Sequence, residues 1–364
     1  MKAAVLETIP GEVVVDDLTI DKPDPNEIVI RTEACGLCHS DLHVMVGDLP
    51  GPVPSVLGHE ACGIIEAVGA DVTEFTPGER VVTCLNAFCD TCRECRGGRS
   101  WLCVNRNKLR QRPADSPALV RTSDGAAVTA MAGLGGFAEM MLVHRSAAVK
   151  VPADIPADKA ALLGCAVITG VGSVVNAAKV KAGSTVAVIG AGGIGCNIIQ
   201  GAVLAGAERV IAVDLHPEKL ELATTFGATD VVNGANVDAV GEVVEMTKGG
   251  ADYTFEAIGL EPTVQQAIGM LRVGQTAFMV GVPPVGKPVG IPAATMVLTG
   301  RGVQGVFMGS NHFPTDIPML ANLYLQGRLK LDELVDEHIG LGGVNAGYER
   351  MQTGIAARSV IIFD

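Results

Sequence analysis

Cys89, Cys92, Cys95 and Cys103 carry the most specific chemistry in this chain. Their spacing, C-x2-C-x2-C-x7-C, gathers four thiols into one short stretch. Thiolates this close suit a tetrahedral metal, and a set of four leaves no coordination position open. A structural zinc is expected there. A second set consists of Cys38, His59 and, far along the chain, Cys165. Two cysteines and one histidine offer three ligands and leave the fourth position for water or substrate. The competing role for Cys38 and Cys165 is plain burial, which is common for free thiols.

A third constellation is Gly190-Ala191-Gly192-Gly193-Ile194-Gly195, a G-x-G-x-x-G pattern. In a glycine-rich chain the pattern alone is weak, but here it follows the apolar run Val186 to Ile189 and opens a helical pattern. The motif's glycines permit a tight turn, approach of a pyrophosphate, and close helix–strand packing. Asp214 lies at the end of the next strand, 19 residues after Gly195. A carboxylate there accepts from ribose hydroxyls and repels a 2′-phosphate, which predicts NAD over NADP. Its competing role is a helix N-cap. A closed metal site, an open one and a nucleotide loop together outline a zinc-dependent dehydrogenase.

The elements that must position these residues change character along the chain. Residues 1–100 alternate short Val- and Ile-rich runs with Pro and Gly, which predicts a mostly antiparallel, barrel-like region. Residues 104–136 read as irregular. Arg106, Lys108, Arg110 and Arg112 there form a basic cluster: a solvated loop, a substrate entrance favouring an acidic group, or an oligomer contact. From about residue 167 the chain reads as alternating βα units with buried apolar strands. Strands are predicted at 185–189, 209–213, 253–257 and 275–280, with helices at 194–205, 217–226 and 263–271. A further helix is predicted at 315–326 and a closing strand at 359–363.

Composition narrows the class. The chain has 364 residues, 48% hydrophobic and 18% charged, with a net charge of −13, enough for two packed domains. With no basic tail, neither nucleic acid nor an anionic membrane is an expected partner. Neither a secretory signal nor a charge-free apolar stretch of membrane-spanning length is expected, which predicts a cytoplasmic protein. Of ten cysteines, Cys35, Cys62, Cys84 and Cys196 fall outside both ligand sets and read as small buried hydrophobes.

Gly58-His59-Glu60-Ala61-Cys62-Gly63, followed by Gly69 and Val72, resembles the signature of the zinc-containing medium-chain alcohol dehydrogenases. The four-cysteine stretch, Cys38-His39-Ser40-Asp41-x-His43, the glycine motif with Asp214, and Arg358 follow in matching order. The resemblance covers nearly the whole chain. It implies an α/β fold: a Rossmann doubly wound parallel sheet, placed at 167–303, and a mostly β, GroES-like barrel catalytic domain, placed at 1–166 and 304–364. It implies two zinc ions per chain, NAD, and interconversion of an alcohol with an aldehyde or ketone.

The resemblance further implies that Cys38, His59 and Cys165 hold the reactive zinc, with Glu60 beside it to assist ligand exchange. Asp41 would orient the zinc-bound imidazole. Ser40 would bond the substrate hydroxyl, and His43 would stand at the outer end of a proton path running by way of the cofactor ribose. His39, Lys219 and Arg358 would contact cofactor phosphates or riboses, and Thr169 the nicotinamide. The competing roles are a helix N-cap for Ser40 and a surface or core position for His43. Leu85 stands where many alcohol-active members carry an aromatic, which predicts a wider apolar pocket. The long 104–136 segment resembles the animal-type and thiol-adduct-oxidising branches and predicts a homodimer, with a homotetramer as the alternative.

Overall fold

A computed structural model describes residues 1–353 and 358–363. The chain divides into two compact units, Met1–Cys165 with His312–Asp364, and Ala166–Asn311.

In the first unit, strands Lys2–Leu6, Val13–Ile20, Leu119–Arg121, Ala127–Ala130 and Ser55–Val56 close into a barrel. A second sheet runs in the order Ala148–Lys150, Arg80–Thr83, Glu60–Val68, Glu27–Gly36, Ser359–Ile362, Glu337–Ile339, and Met140–His144 also pairs with Glu27–Gly36. Leu6, Leu18, Ile28, Ile30, Leu57 and Phe137 are at most 1% exposed in the core between them. Each such side chain stabilises by about 1.5–3 kcal/mol on burial.

The second unit is a six-stranded, wholly parallel sheet. Its order is Asp230–Asn233, Arg209–Asp214, Thr185–Ile189, Ala251–Glu256, Leu271–Met279, Gly302–Gly305. In sequence terms that is 3-2-1-4-5-6, the Rossmann order. Strands covered on both faces read as apolar runs because no side chain reaches water, and Val186 to Ile189 are all at most 2% exposed.

Several expectations need correction. Residues 304–311 and Ala166 belong with the parallel-sheet unit. Gly302–Gly305 is its last strand, Val306 donates to the carbonyl of Met279, and Met308 accepts from Thr169. Residues 104–136 contain two barrel strands, too short to show an alternating period. The strand Asp230–Asn233 and helices His39–Val46 and Ala239–Met246 were not read from the sequence. One helical run, Ala157–Ala178, is long and apolar enough to cross a membrane, but 83% of its most apolar window is buried inside the fold. Its apolarity answers to core packing.

Candidate active site

Cys38 is the N-cap of helix His39–Val46, which follows directly on the strand Glu27–Gly36 and Leu37. His59 and Glu60 stand at the start of the neighbouring strand Glu60–Val68, paired in register with Gly36. Cys165 lies in a π-helical segment, Leu163–Val167, of the long apolar helix. Such bulges redirect a side chain out of ordinary helical phase. The ligand atoms of Cys38, His59, Glu60 and Cys165 all lie within 4.8 Å of one another, and all four residues are buried.

Asp41 is fully buried one turn along the same helix. Its Oδ1 accepts from the backbone N–H of Gly58 and from His59 Nδ1, both at 3.1 Å. That bond leaves His59 Nε2 for a ligand, as a carboxylate partner does in metal sites. Ser40 Oγ lies 3.2 Å from both Cys38 Sγ and His59 Nε2. It is not the helix cap, a position Cys38 occupies. Arg358, 4% exposed, donates to the carbonyl of Leu37 at 2.8 Å and lies 3.4 Å from Glu60 Oε1.

The charges of this cluster are interlocked. A hydrogen bond from the Cys165 thiol, with His59 and Arg358 nearby, holds Cys38 well below the usual thiol range. The same bond, together with burial, pushes Cys165 well up. Burial opposes charging of His59, but the Asp41 carboxylate and Cys38 outweigh it and hold the imidazole well above its ordinary value. Burial pushes Glu60 up to about 8, and Arg358 tempers the rise.

Cys89, Cys92, Cys95 and Cys103 form the second cluster, with ligand atoms within 4.8 Å of one another. Cys92 Sγ and Cys95 Sγ are 3.4 Å apart. Two sulfurs on a tetrahedral zinc at ~2.3 Å would be about 3.8 Å apart, so the spacing fits. Backbone N–H groups of Cys92 and Cys95, the Thr91 hydroxyl and the Asn105 amide all donate to sulfurs of the set. Burial opposes ionisation of Cys89, yet Thr91, Asn105 and the backbone bring it down to about 5. Cys95 is pushed by burial to about 12. Donors aimed at sulfur stabilise thiolates, the ligand form.

The basic cluster next to it is mostly not a solvated face. Arg110 donates to the carbonyl of Leu85, and burial lowers it to about 10. Arg106 donates to the carbonyl of Trp101. Arg112, whose side chain is 7% exposed, pairs with Asp21, Asp24 and Glu27. Lys108 is exposed. Among the four, only Lys108 matches the loop reading, since one-dimensional charge runs do not show which guanidinium groups turn inward.

In the parallel-sheet unit, Gly190 has φ +93°, and a Cβ on Gly195 would stand 1.7 Å from the Gly190 carbonyl oxygen. Only glycine makes this turn and packs this closely. Gly192 is the N-cap of helix Gly193–Leu204, with no side chain capping it and nothing within 4 Å of where a Cβ would be. The first-turn amides of Gly193, Ile194 and Gly195 thus suit an anionic group. Asp214 is not the cap of the next helix, Pro217–Thr225, a place taken by His216. Its carboxylate accepts from the amides of Ala191, Leu215 and His216, which ties the glycine turn to the end of the second strand. Lys219 lies half-buried in that helix. Thr169 is 5% exposed, its hydroxyl 3.6 Å from Met308 Sδ. His39 is exposed, its ring 6.4 Å from that of His43.

The comparisons with known proteins agree with this geometry. Residues 24–153 match the alcohol dehydrogenase GroES-like domain, and residues 193–322 match the zinc-binding dehydrogenase domain. The chain belongs to the zinc-containing medium-chain alcohol dehydrogenase family. It is 32% identical to an S-(hydroxymethyl)glutathione dehydrogenase of Paracoccus denitrificans, over 100% of this chain and 99% of that one. An alcohol dehydrogenase zinc-binding domain protein from Burkholderia ambifaria superposes with a TM-score of 0.94 at 34% identity, covering 100% of this chain and 98% of the other. Benzyl alcohol dehydrogenase from Acinetobacter calcoaceticus gives 0.93 at 31%, covering 100% and 99%. This dehydrogenase is an NAD-dependent oxidoreductase that uses zinc. The residues present fit both cofactors. Two clusters of soft donors are gathered for metal, one including a carboxylate whose Oε2 is buried without a hydrogen-bond partner among the described residues. The uncapped glycine turn suits a pyrophosphate.

Proposed function

We propose that the chain interconverts a primary or secondary alcohol with an aldehyde or ketone. The observation that carries this reading is the buried gathering of Cys38, His59, Glu60 and Cys165, with the Ser40 hydroxyl bonded into it. When bound, zinc supplies a Lewis acid and NAD a hydride acceptor. Cys38, His59 and Cys165 are the residues that would hold the reactive zinc, with Glu60 as a fourth, exchangeable donor. Cys89, Cys92, Cys95 and Cys103 would hold a structural one. Asp41 orients the imidazole of His59. Ser40 would bond the substrate hydroxyl and accept its proton while releasing its own toward His43, whose partly exposed imidazole would take up that proton and pass it to water. Gly190 to Gly195 would cradle the pyrophosphate and Asp214 the adenosine ribose, with Lys219 beside it. His39, Thr169 and Arg358 are further candidates for contact with the cofactor. We also propose a cytoplasmic homodimer.

A second reading is oxidation of a thiol–formaldehyde adduct, favoured by the name of the Paracoccus relative. The test is a panel of primary, secondary and aromatic alcohols with NAD and with NADP, followed at the reduced-nicotinamide absorbance band. Turnover of alcohols with NAD is expected. Turnover of formaldehyde that appears only with glutathione present, and of no simple alcohol, would move the assignment to the second reading. A Cys38→Ser variant with full turnover would remove the metal from the mechanism.

A further inference from the structure

His43 is on the last turn of helix His39–Val46, and Gly47 ends that helix in the left-handed region with φ +89°. The reversal lets Leu49 N donate to the carbonyl of His43 at 3.0 Å and brings Asp48, five residues on, back against the imidazole. Asp48 Oδ2 lies 3.2 Å from His43 Nδ1. The pair is partly exposed, 27% for the His43 side chain and 39% for Asp48, so it is no buried packing device. An ionised carboxylate only accepts hydrogen bonds. Nδ1 must therefore carry the proton in this contact, and Nε2 has no hydrogen-bond partner among the described residues. Nothing assigned so far uses Asp48.

We propose that Asp48 is the positioning residue of His43. Its carboxylate fixes the neutral imidazole as the Nδ1–H tautomer, orients the ring, and leaves Nε2 as the acceptor for a proton leaving the active site. The partner of a histidine's other nitrogen decides which nitrogen does chemistry. The functional half of this inference rests on the proposed role of His43, whereas the tautomer does not. Asp48→Asn is the decisive variant because an amide can donate to Nδ1, which favours the opposite tautomer at almost unchanged shape. Asp48→Glu restores a carboxylate.

The experiment combines two readouts. Histidine ring-nitrogen NMR on selectively labelled protein, at a pH where the imidazole is neutral, reads the tautomer independently of turnover. Nδ1–H is expected for the unmodified protein and for Asp48→Glu, and a shift toward Nε2–H for Asp48→Asn. A double-mutant cycle on kcat/KM reads the function. His43→Gln is expected to lose about a hundredfold, the lower end of what a positioned acid–base group supplies, and Asp48→Asn roughly tenfold, a part of that contribution, because the imidazole is still present but in the wrong tautomer. The double variant should be no worse than His43→Gln, since a positioning residue has nothing left to position. A tautomer indifferent to Asp48→Asn, or a tenfold loss that persists without His43, would overturn the proposal. A fully active His43→Gln would overturn the proton-path reading itself, and the functional role of Asp48 with it.

Discussion

Replacing Asp41 by Asn should loosen the reactive metal without unfolding the chain. Asp41 is fully buried and makes both of its bonds through one oxygen, to Gly58 N and His59 Nδ1, each at 3.1 Å. An Asn side chain keeps an acceptor at that place, so neither donor is orphaned, although its amide NH2 replaces Oδ2, which is buried without a hydrogen-bond partner among the described residues, at a cost of about 1–3 kcal/mol. What it removes is the carboxylate charge that makes the imidazole a stronger ligand. Outer partners of this kind are worth about 10–100-fold in metal affinity. That corresponds to about 1.4–2.7 kcal/mol at ~1.36 kcal/mol per tenfold. Asp41→Ala would in addition leave two buried N–H groups unpaired, at about 1–3 kcal/mol each. Competition with a chromophoric chelator measures the zinc affinity, and thermal unfolding measures the stability. The Asn variant should bind zinc ten- to a hundredfold more weakly with a smaller loss of Tm than the Ala variant, which orphans two donors as well as losing zinc affinity. Unaltered zinc affinity in Asp41→Asn, or a Tm loss equal to that of Asp41→Ala, would refute the orienting role.

Three further outcomes are expected. Cys95→Ser should lower the zinc content from two per chain to one by metal analysis, with Cys38, His59 and Cys165 still loaded; loss of both ions would show that the clusters are not independent. Gly195→Ala places a carbon 1.7 Å from the Gly190 carbonyl, so the turn must open; NADH binding measured by fluorescence should fall more than tenfold, on the order of the 1.4 kcal/mol that a tenfold change represents, and unchanged binding would contradict the close packing. Glu60 has its pKa raised from 4.5 to about 8, so in the zinc-free protein it contributes stability at low pH that is lost as pH rises through about 8. The folded state holds a proton that the unfolded state has released, and Glu60→Gln should flatten the decline of stability between these pH values in denaturant titrations. An equally steep decline in the variant would place the proton elsewhere.

The candidate ligands were legible in the sequence because metal and nucleotide chemistry tolerate few residue types. Four cysteines within one loop, and glycines between an apolar strand and a helix, are local patterns. The parallel strands were legible for a similar reason: burial on both faces writes continuous apolar runs. The strand Asp230–Asn233 escaped because it is short, and three of its four residues are half-buried or exposed. The inward turn of Arg106, Arg110 and Arg112 was not legible because the direction of a guanidinium is set by what packs over it. The pairing of His43 with Asp48 depends on a single left-handed glycine, and no periodicity reveals that.

By itself the sequence determined which atoms were available: six cysteines and one histidine as candidate ligands, one glycine turn suited to a nucleotide and one acidic residue beyond it. Tertiary structure alone decided that Cys165, more than a hundred residues from Cys38, shares a buried space of a few ångströms with it. It also decided that Asp41 reaches His59 through a single oxygen. The reason is physical. A coordination set is defined by distances in space, and a linear chain specifies those only after its apolar strands and helices have packed.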